Sequence, residues 1–180
     1  LTPGAAVLTG TALSSTSGRA LADVRITLDP VGPDGRALGA PLGAVTAANG
    51  SFAIAGLQAG SYVLWAKLAG MGPARQVVTL TGGGASAAIG LSPGCVLAGN
   101  VRSGLTGLAL PEATVVAVLA GSGDVVGAAV SGTDGSYQLA DLAAGTYDLL
   151  VSAAGFRNAS QTDVVIGSAG ATWDVVLPAR

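Results

Sequence analysis

Hydrophobic and polar side chains alternate along several short stretches of the chain, most clearly between Ser61 and Leu68. Successive residues of a β-strand point to opposite sides of its sheet, so a period of two predicts strands. One side of this stretch carries Tyr62, Leu64 and Ala66, and the other carries Val63, Trp65 and Lys67. Polar residues fall on the second side, which indicates that the first side faces the core.

A longer phrase containing this stretch occurs twice. NGSFAIAGLQAGSYVLWAKLAG begins at Asn49, and DGSYQLADLAAGTYDLLVSAAG begins at Asp134. The similarity extends upstream and downstream of both copies, so the repeating unit is a whole domain and not a short solenoid repeat. We therefore predict two tandem domains, residues 1–92 and 93–180, divided at the proline-containing segment Ser92–Gly94.

Turn-forming residues separate the alternating stretches at the spacing of about 8–12 residues that is typical of β-sandwiches. Asn49-Gly50 and Asp134-Gly135 predict hairpin turns, because these residue types tolerate positive φ. We expect Tyr62 and Tyr147 to be buried, with each hydroxyl bonded to the backbone at the sandwich edge. No segment has a sustained helical period, and the pattern predicts an all-β fold.

Composition narrows the classes of function. Charged residues make up 10% of the chain, the net charge is −2, histidine is absent and Cys95 is the only cysteine. Without a basic cluster or a long apolar run we expect no nucleic-acid binding and no membrane insertion. Zinc peptidase and Ser–His–Asp sites require histidine or several cysteines. We therefore expect no catalytic residue, no cofactor and no metal, and we interpret Cys95 as a small apolar residue at a strand start.

Two further interpretations concern single residues: a Ca²⁺ site and a Lys–Asn isopeptide crosslink. Asp134 and Asp141 could supply two oxygen ligands to Ca²⁺, although their positions favour an interpretation as turn and loop residues. Lys67 is the only lysine, and the second repeat has none. That asymmetry argues against a Lys–Asn isopeptide crosslink shared by the two repeats.

The repeated phrase resembles the carboxypeptidase regulatory-like domain. The residues that carry the resemblance in the second copy are Gly107, Leu110, Ala113, Val115, Thr133, Asp134, Gly135, Tyr137, Leu139, Leu142, Gly145, Tyr147, Leu149, Val151, Gly155 and Phe156. The first copy departs from the motif at Asn49 and Met71. The resemblance implies two tandem seven-stranded β-sandwiches, Ig-like or prealbumin-like in the manner of transthyretin. It also implies a non-catalytic module of an exported bacterial protein, not an enzyme.

The side of the strand opposite the core is the candidate interaction surface, formed by Val63, Trp65 and Lys67. An aromatic side chain there could stack on a sugar or contact a protein partner. The alternative is that a loop of the same domain covers it. The segment LTPGAAVLTG at the start of the sequence is also strand-like, and we expect it to offer an edge for strand addition.

These observations lead to two functional hypotheses. In the first, the chain is a non-enzymatic structural protein, secreted or at the cell surface. It packs through strand edges and neutral faces into or onto a surface filament, sheath or layer, and its partners are copies of itself or another surface protein. In the second, it is an accessory module of a larger secreted enzyme or adhesin that binds a glycan or a protein.

Overall fold

The computed structural model describes residues 6–34 and 36–180. The regular secondary structure of these residues is β-strand, and the chain divides into two compact units, the first ending at Ser92 and the second running from Pro93 to Arg180. No helix in the described residues is long and apolar enough to cross a membrane. The all-β architecture of two tandem sandwiches confirms the predicted fold class.

The first unit contains seven strands, and alternation between buried and exposed positions is clearest in β1 and β7. They are β1 (Ala6–Ser14), β2 (Arg25–Val31), β3 (Leu42–Val45), β4 (Ser51–Leu57), β5 (Gly60–Lys67), β6 (Ala74–Leu80) and β7 (Ala85–Leu91). One sheet has the order β4-β1-β7 and the other the order β3-β2-β5-β6. The apolar residues between these two sheets form the core of the unit.

The second unit repeats this topology, except that its last strand is in two pieces. Its strands are β8 (Cys95–Ser103), β9 (Thr114–Leu119), β10 (Val125–Val130), β11 (Ser136–Leu142), β12 (Gly145–Ser152), β13 (Ala159–Ile166), β14 (Ala171–Thr172) and β15 (Val175–Leu177). The sheets have the orders β11-β8-β14, with β15 also paired to β8, and β10-β9-β12-β13. The break occurs where Asp174 Oδ1 accepts the N–H of Asn100 at 2.8 Å, in place of a strand carbonyl. Cys95 is buried at the start of β8.

The side chains that the alternation assigns to the core are buried. Tyr62, Leu64 and Ala66 line the core of the first unit, and Tyr147, Leu149 and Val151 line that of the second. The Tyr62 hydroxyl donates to the carbonyl of Gln58 at 2.9 Å, and the Tyr147 hydroxyl donates to that of Ala143 at 2.6 Å. Each buried phenol therefore fixes the turn that precedes its own strand, which confirms the expectation for both tyrosines.

The prediction that the two Asx-Gly turns close hairpins is wrong. The strand before Asn49-Gly50 pairs with β2 and the strand after it pairs with β1, so the turn carries the chain from one sheet to the other. Asp134-Gly135 does the same between β10 and β11. The local geometry is that of a tight turn in either case, so the turn residues alone do not decide which strands pair.

The side chain at the first turn position accepts hydrogen bonds that stabilise each of these connections between the sheets. Asp134 Oδ1 accepts from the N–H of Ser136 at 3.0 Å and from its hydroxyl at 2.6 Å. Asn49 Oδ1 accepts the same two bonds from Ser51, at 3.1 and 2.7 Å. The hydroxyl and backbone bonds from Ser136 lower the pKa of Asp134.

The expectation of a free strand at the start of the chain is wrong from Ala6 onward. β1 is the central strand of its sheet, antiparallel to β4 and parallel to β7, so both of its edges are already paired. The central position follows from its burial, because every second side chain from Ala6 to Ser14 is buried. The first five residues of the expected strand, Leu1 to Ala5, lie outside the described residues.

Gly135→Ala is predicted to destabilise the chain more than Gly155→Ala. Both glycines have positive φ, 77° and 82°, which costs an L-residue about 1–2 kcal/mol. A Cβ at Gly135 would also lie 2.6 Å from the Val101 carbonyl oxygen, whereas one at Gly155 would have no atom within 4 Å. We expect the collision to add about 1–3 kcal/mol, measured by urea unfolding of the two variants. Equal midpoints would show that the crossing is not tightly packed.

The stability of the second unit is predicted to fall as the pH rises above the ordinary tyrosine pKa of 10.0. Burial raises the pKa of Tyr137 and of Tyr147, with the Asp174 carboxylate adding to the effect at Tyr137. Above pH 10 the unfolded chain releases these protons while the folded unit retains them, so the free energy of unfolding decreases. Urea midpoints at about pH 9 and pH 11 measure this slope, and Tyr147→Phe should flatten it. An unchanged slope in the variant would contradict the assignment.

Candidate functional site

The candidate surface lies on the outer face of the four-stranded sheet of the first unit. Trp65 is half-buried near the middle of this face, opposite Thr27 on β2 and Arg75 on β6. Lys67 Nζ lies 5.8 Å from the centroid of the Trp65 ring, and Arg75 Cζ lies 5.9 Å from it. Contacts of this kind contribute about 0.5–1 kcal/mol each at exposed sites. The indole is therefore held by cations of its own sheet.

Val63 does not belong to the exposed part of this face. It points to the same side as Trp65 but retains only 8% of its accessible surface. It lies in a central strand and is flanked by Asp29 on β2 and Val77 on β6, so neighbouring side chains cover it. The prediction of Val63 as a contact residue is therefore corrected, and its role is in packing.

Two further cations, Arg25 and Arg75, belong to this surface, although the sequence did not indicate it. The strand register places Arg25 directly opposite Lys67, and Arg75 directly opposite Trp65. In the described residues neither Arg25 nor Lys67 is within the 4.0 Å salt-bridge distance of a carboxylate. Like charges directly opposite one another in a sheet are unfavourable. Alternation alone shows that Arg25 points outward, but only the register shows which cation it faces.

We call the exposed part of this surface the cationic face, defined as Arg25, Trp65, Lys67 and Arg75. The positions that correspond to it in the second unit carry different residues. Thr114 on β9 and Ser152 on β12 are directly opposite each other, as Arg25 and Lys67 are in the first unit. Leu150 occupies the position of Trp65, because Tyr62 and Tyr147 begin the same pattern. The two units thus share a core and differ on this face.

The outer face of the four-stranded sheet in the second unit is aliphatic. Val116 on β9 lies between Ala128 on β10 and Leu150 on β12 in the strand register. Its exposed aliphatic side chains are Val125 at 64%, Val130 at 62%, Leu150 at 46% and Val165 at 71% of their full accessible surface. We call this surface the aliphatic face, defined as these four residues with Val116, Ala128 and Asp148.

Asp148 gives the aliphatic face a negative charge. The pairing of β12 with β13 shifts register between Tyr147 and Leu149, which leaves a bulge in β13 opposite Asp148. Asp148 Oδ1 accepts the N–H of Asp163 in this bulge at 3.1 Å, and Asp163 has a positive φ of 57°. The bulge therefore places two acidic residues close together at this side of the sheet.

The formal charges of the two units are opposite in sign. Residues 1–92 contain five Arg or Lys and three Asp, for a net charge of +2. Residues 93–180 contain three Arg and seven Asp or Glu, for a net charge of −4. The small net charge of the whole chain therefore conceals an asymmetry between its halves.

Two places in the second unit bear on possible chemistry: the carboxylates of Asp134 and Asp141, and a shallow depression. Within residues 6–34 and 36–180 no group of three or more potential metal ligands comes together, and Asp134 and Asp141 are not part of one. A shallow depression of the second unit, about 500 Å³, is lined by Asn100, Ser136 and Tyr137 among others. The Tyr137 hydroxyl there already donates to the Trp173 carbonyl at 2.6 Å. The Ser136 hydroxyl donates to Asp134 at 2.6 Å, and this bond lowers the pKa of Asp134, which makes the carboxylate a weaker base.

Comparison with protein families decides what kind of domain this is. The model of the carboxypeptidase regulatory-like domain matches residues 7–90 and again residues 96–178. The chain belongs to this family. The resemblance seen in the sequence is confirmed, and the two matches account for nearly the whole chain as tandem carboxypeptidase regulatory-like domains.

Several solved structures are similar to this chain at low sequence identity. The Streptococcal ancillary pilin is 18% identical to this chain. The match covers 97% of this chain and 62% of the pilin chain, with a TM-score of 0.44. This chain thus spans less than two thirds of that pilin. A minor pilin of Streptococcus agalactiae is 14% identical, with 98% and 97% covered and a TM-score of 0.47. The shaft pilin SpaA from Lactobacillus rhamnosus GG is 12% identical, with 99% and 98% covered and a TM-score of 0.36. A comparison with curated proteins finds no match.

Val63→Ala is predicted to lower stability, whereas Lys67→Ala is not. Removing the buried side-chain methyl groups of Val63 should cost about 1.5–2.5 kcal/mol. Lys67 is exposed, and its truncation should change the free energy of unfolding by about 0.5 kcal/mol or less. Urea unfolding of both variants makes the comparison. Equal changes in the free energy of unfolding would contradict the conclusion that Val63 packs while Lys67 lies at the surface.

Proposed function

We propose that this chain is a non-enzymatic structural protein of the cell surface, built from two carboxypeptidase regulatory-like domains that pack with copies of themselves. The observation that carries the proposal is the aliphatic face. Four large aliphatic side chains lie exposed on one sheet, with Asp148 as the charge in its central strands. Exposed apolar patches of this kind mark interaction sites, because burying them against a partner releases water at favourable free energy.

Face packing is better supported than strand addition. β13 is an edge strand, but the bulge at Asp163 interrupts its regular pairing pattern. Bulges and charges on edge strands disfavour the docking of a further strand. At this edge of the second unit, packing through the sheet face is therefore the stronger candidate.

Glycan binding at Trp65 has less support. A sugar stacks on an open ring face, and the Trp65 ring is already in contact range of Lys67 and Arg75. A sugar that stacks on a ring face occupied by a cation would have to displace that cation and would lose its attraction to the ring. The accessory-module hypothesis therefore takes second place to self-packing.

The test is the mass of the purified chain as a function of concentration. We predict by light scattering a mass above the 17.1 kDa of one chain that rises with concentration. The double variant Leu150→Lys with Val165→Lys should remain monomeric, because charges on the aliphatic face must be desolvated on packing.

A matched control separates this effect from a general gain in solubility. Leu105 and Leu108 are exposed leucines in a loop of the same unit, and Leu105→Lys with Leu108→Lys adds the same charge elsewhere. This control should assemble as the parent chain does. A parent chain that stays monomeric at all concentrations would overturn the proposal.

A further inference from the structure

We propose that the cationic face of one copy docks on the aliphatic face of the next copy, so that the first unit of each chain contacts the second unit of its neighbour. This inference rests on the proposed function and adds to it the identity of the partner and the two surfaces that meet. The occupant of the cationic face is thus a second copy of this chain.

Charge complementarity between the units is the first argument. The cationic face has three positive side chains on a unit of net charge +2, although the same side of the sheet also carries Asp29, opposite Val63. The aliphatic face carries Asp148 on a unit of net charge −4. Opposite potentials favour contact between unlike units, while contact between two cationic faces brings like charges together. A head-to-tail contact is therefore favoured over a symmetric one.

The unfavourable pairing inside the cationic face is the second argument. Arg25 and Lys67 lie directly opposite each other, with no carboxylate of the described residues at salt-bridge distance. An anion from another molecule placed over this pair would relieve their repulsion. Asp148 on a neighbouring copy has the required charge, with Asp163 beside it.

The apolar parts of the two faces are also compatible. The side of the sheet that carries Trp65 also carries two exposed valines, Val45 opposite Arg25 and Val77 opposite Val63. Leu150 and Val116 occupy the middle of the aliphatic face. Contact between these groups would bury apolar surface of both faces.

The geometry of such a contact makes it repeat. Each copy has one cationic and one aliphatic face, so a copy bound through one face still offers the other. Contacts between unlike patches generate rings or open filaments, whereas a contact between identical patches ends at a dimer. The proposal therefore predicts assembly beyond two copies.

A charge exchange between the two faces tests the proposal. The acidic variant carries Arg25→Glu and Lys67→Glu, and the basic variant carries Thr114→Arg and Ser152→Lys. Thr114 and Ser152 occupy the sheet positions that Arg25 and Lys67 occupy in the first unit, so the basic substitutions introduce residue types that this fold already accommodates there. Each variant alone presents two faces of like charge. We expect the concentration for half-assembly to rise about tenfold or more in each, by sedimentation velocity at low salt.

Mixing the two variants is the decisive step. The acidic first unit of one variant then faces the basic second unit of the other, and we expect assembly to return toward the parent level. Restoration on mixing also shows that neither variant is misfolded. The control is Arg19→Glu with Arg36→Glu, which makes the same change in net charge away from the cationic face and should assemble as the parent does.

The outcomes separate this inference from the proposed function. If the parent assembles and both charge variants assemble equally well, the faces named here do not meet, although self-packing stands. If the variants are blocked but mixing does not restore assembly, direct contact between the two faces is overturned. If assembly is independent of concentration or the parent is monomeric, both the inference and the proposed function fail.

Discussion

The chain passes several times between the two sheets of each unit, and at one of these crossings, from β3 to β4 and from β10 to β11, it lies directly against the central strand of the smaller sheet. The crossing is tight because Gly50 and Gly135 lie against the backbone of the central strand, whose N–H groups at Ala12 and Val101 donate to their carbonyls, each at 2.8 Å. A side chain at the glycine would push the sheets apart and open the core. The same contact in both repeats explains why the Asx-Gly pair occurs twice in the sequence.

With the core fixed in this way, the outer face of the larger sheet is free to differ between the units. Val63, Trp65 and Lys67 in the first unit correspond to residues 148, 150 and 152 in the second. These changes replace a cationic aromatic surface by an acidic aliphatic one without altering the strand order. Two copies of one fold thereby supply two unlike surfaces, which is what a repeating head-to-tail assembly requires.

Much of the fold followed from the sequence, because period-two alternation and turn residues are local signals that the core then enforces. The Asx-Gly turns were misread as hairpins, since local turn chemistry does not specify the partner of the following strand. The buried hydroxyls of Thr46 and Ser131 also gave no signal, although each accepts a backbone N–H and donates to a carbonyl of the segment before the second strand. Their role depends on contacts distant in sequence.

The candidate surface was only partly predictable for the same reason. Trp65 and Lys67 were identified by alternation along one strand, but Arg25 and Arg75 joined them only through the register of the sheet. Val63 was assigned to the surface because alternation reports direction and not coverage by neighbouring strands. The aliphatic face of the second unit was anticipated only as a general lack of charge, since its residues come from four strands.

The central claim is that the outer faces of the two units meet between copies, and the fluorescence of Trp65 tests it most directly. In a Trp173→Phe chain Trp65 is the remaining tryptophan. Its emission should move to shorter wavelength as the protein concentration rises, because docking removes the half-buried ring from water. Emission that stays unchanged while light scattering reports assembly would contradict the account, since the chains would then associate through surfaces that leave Trp65 in solvent.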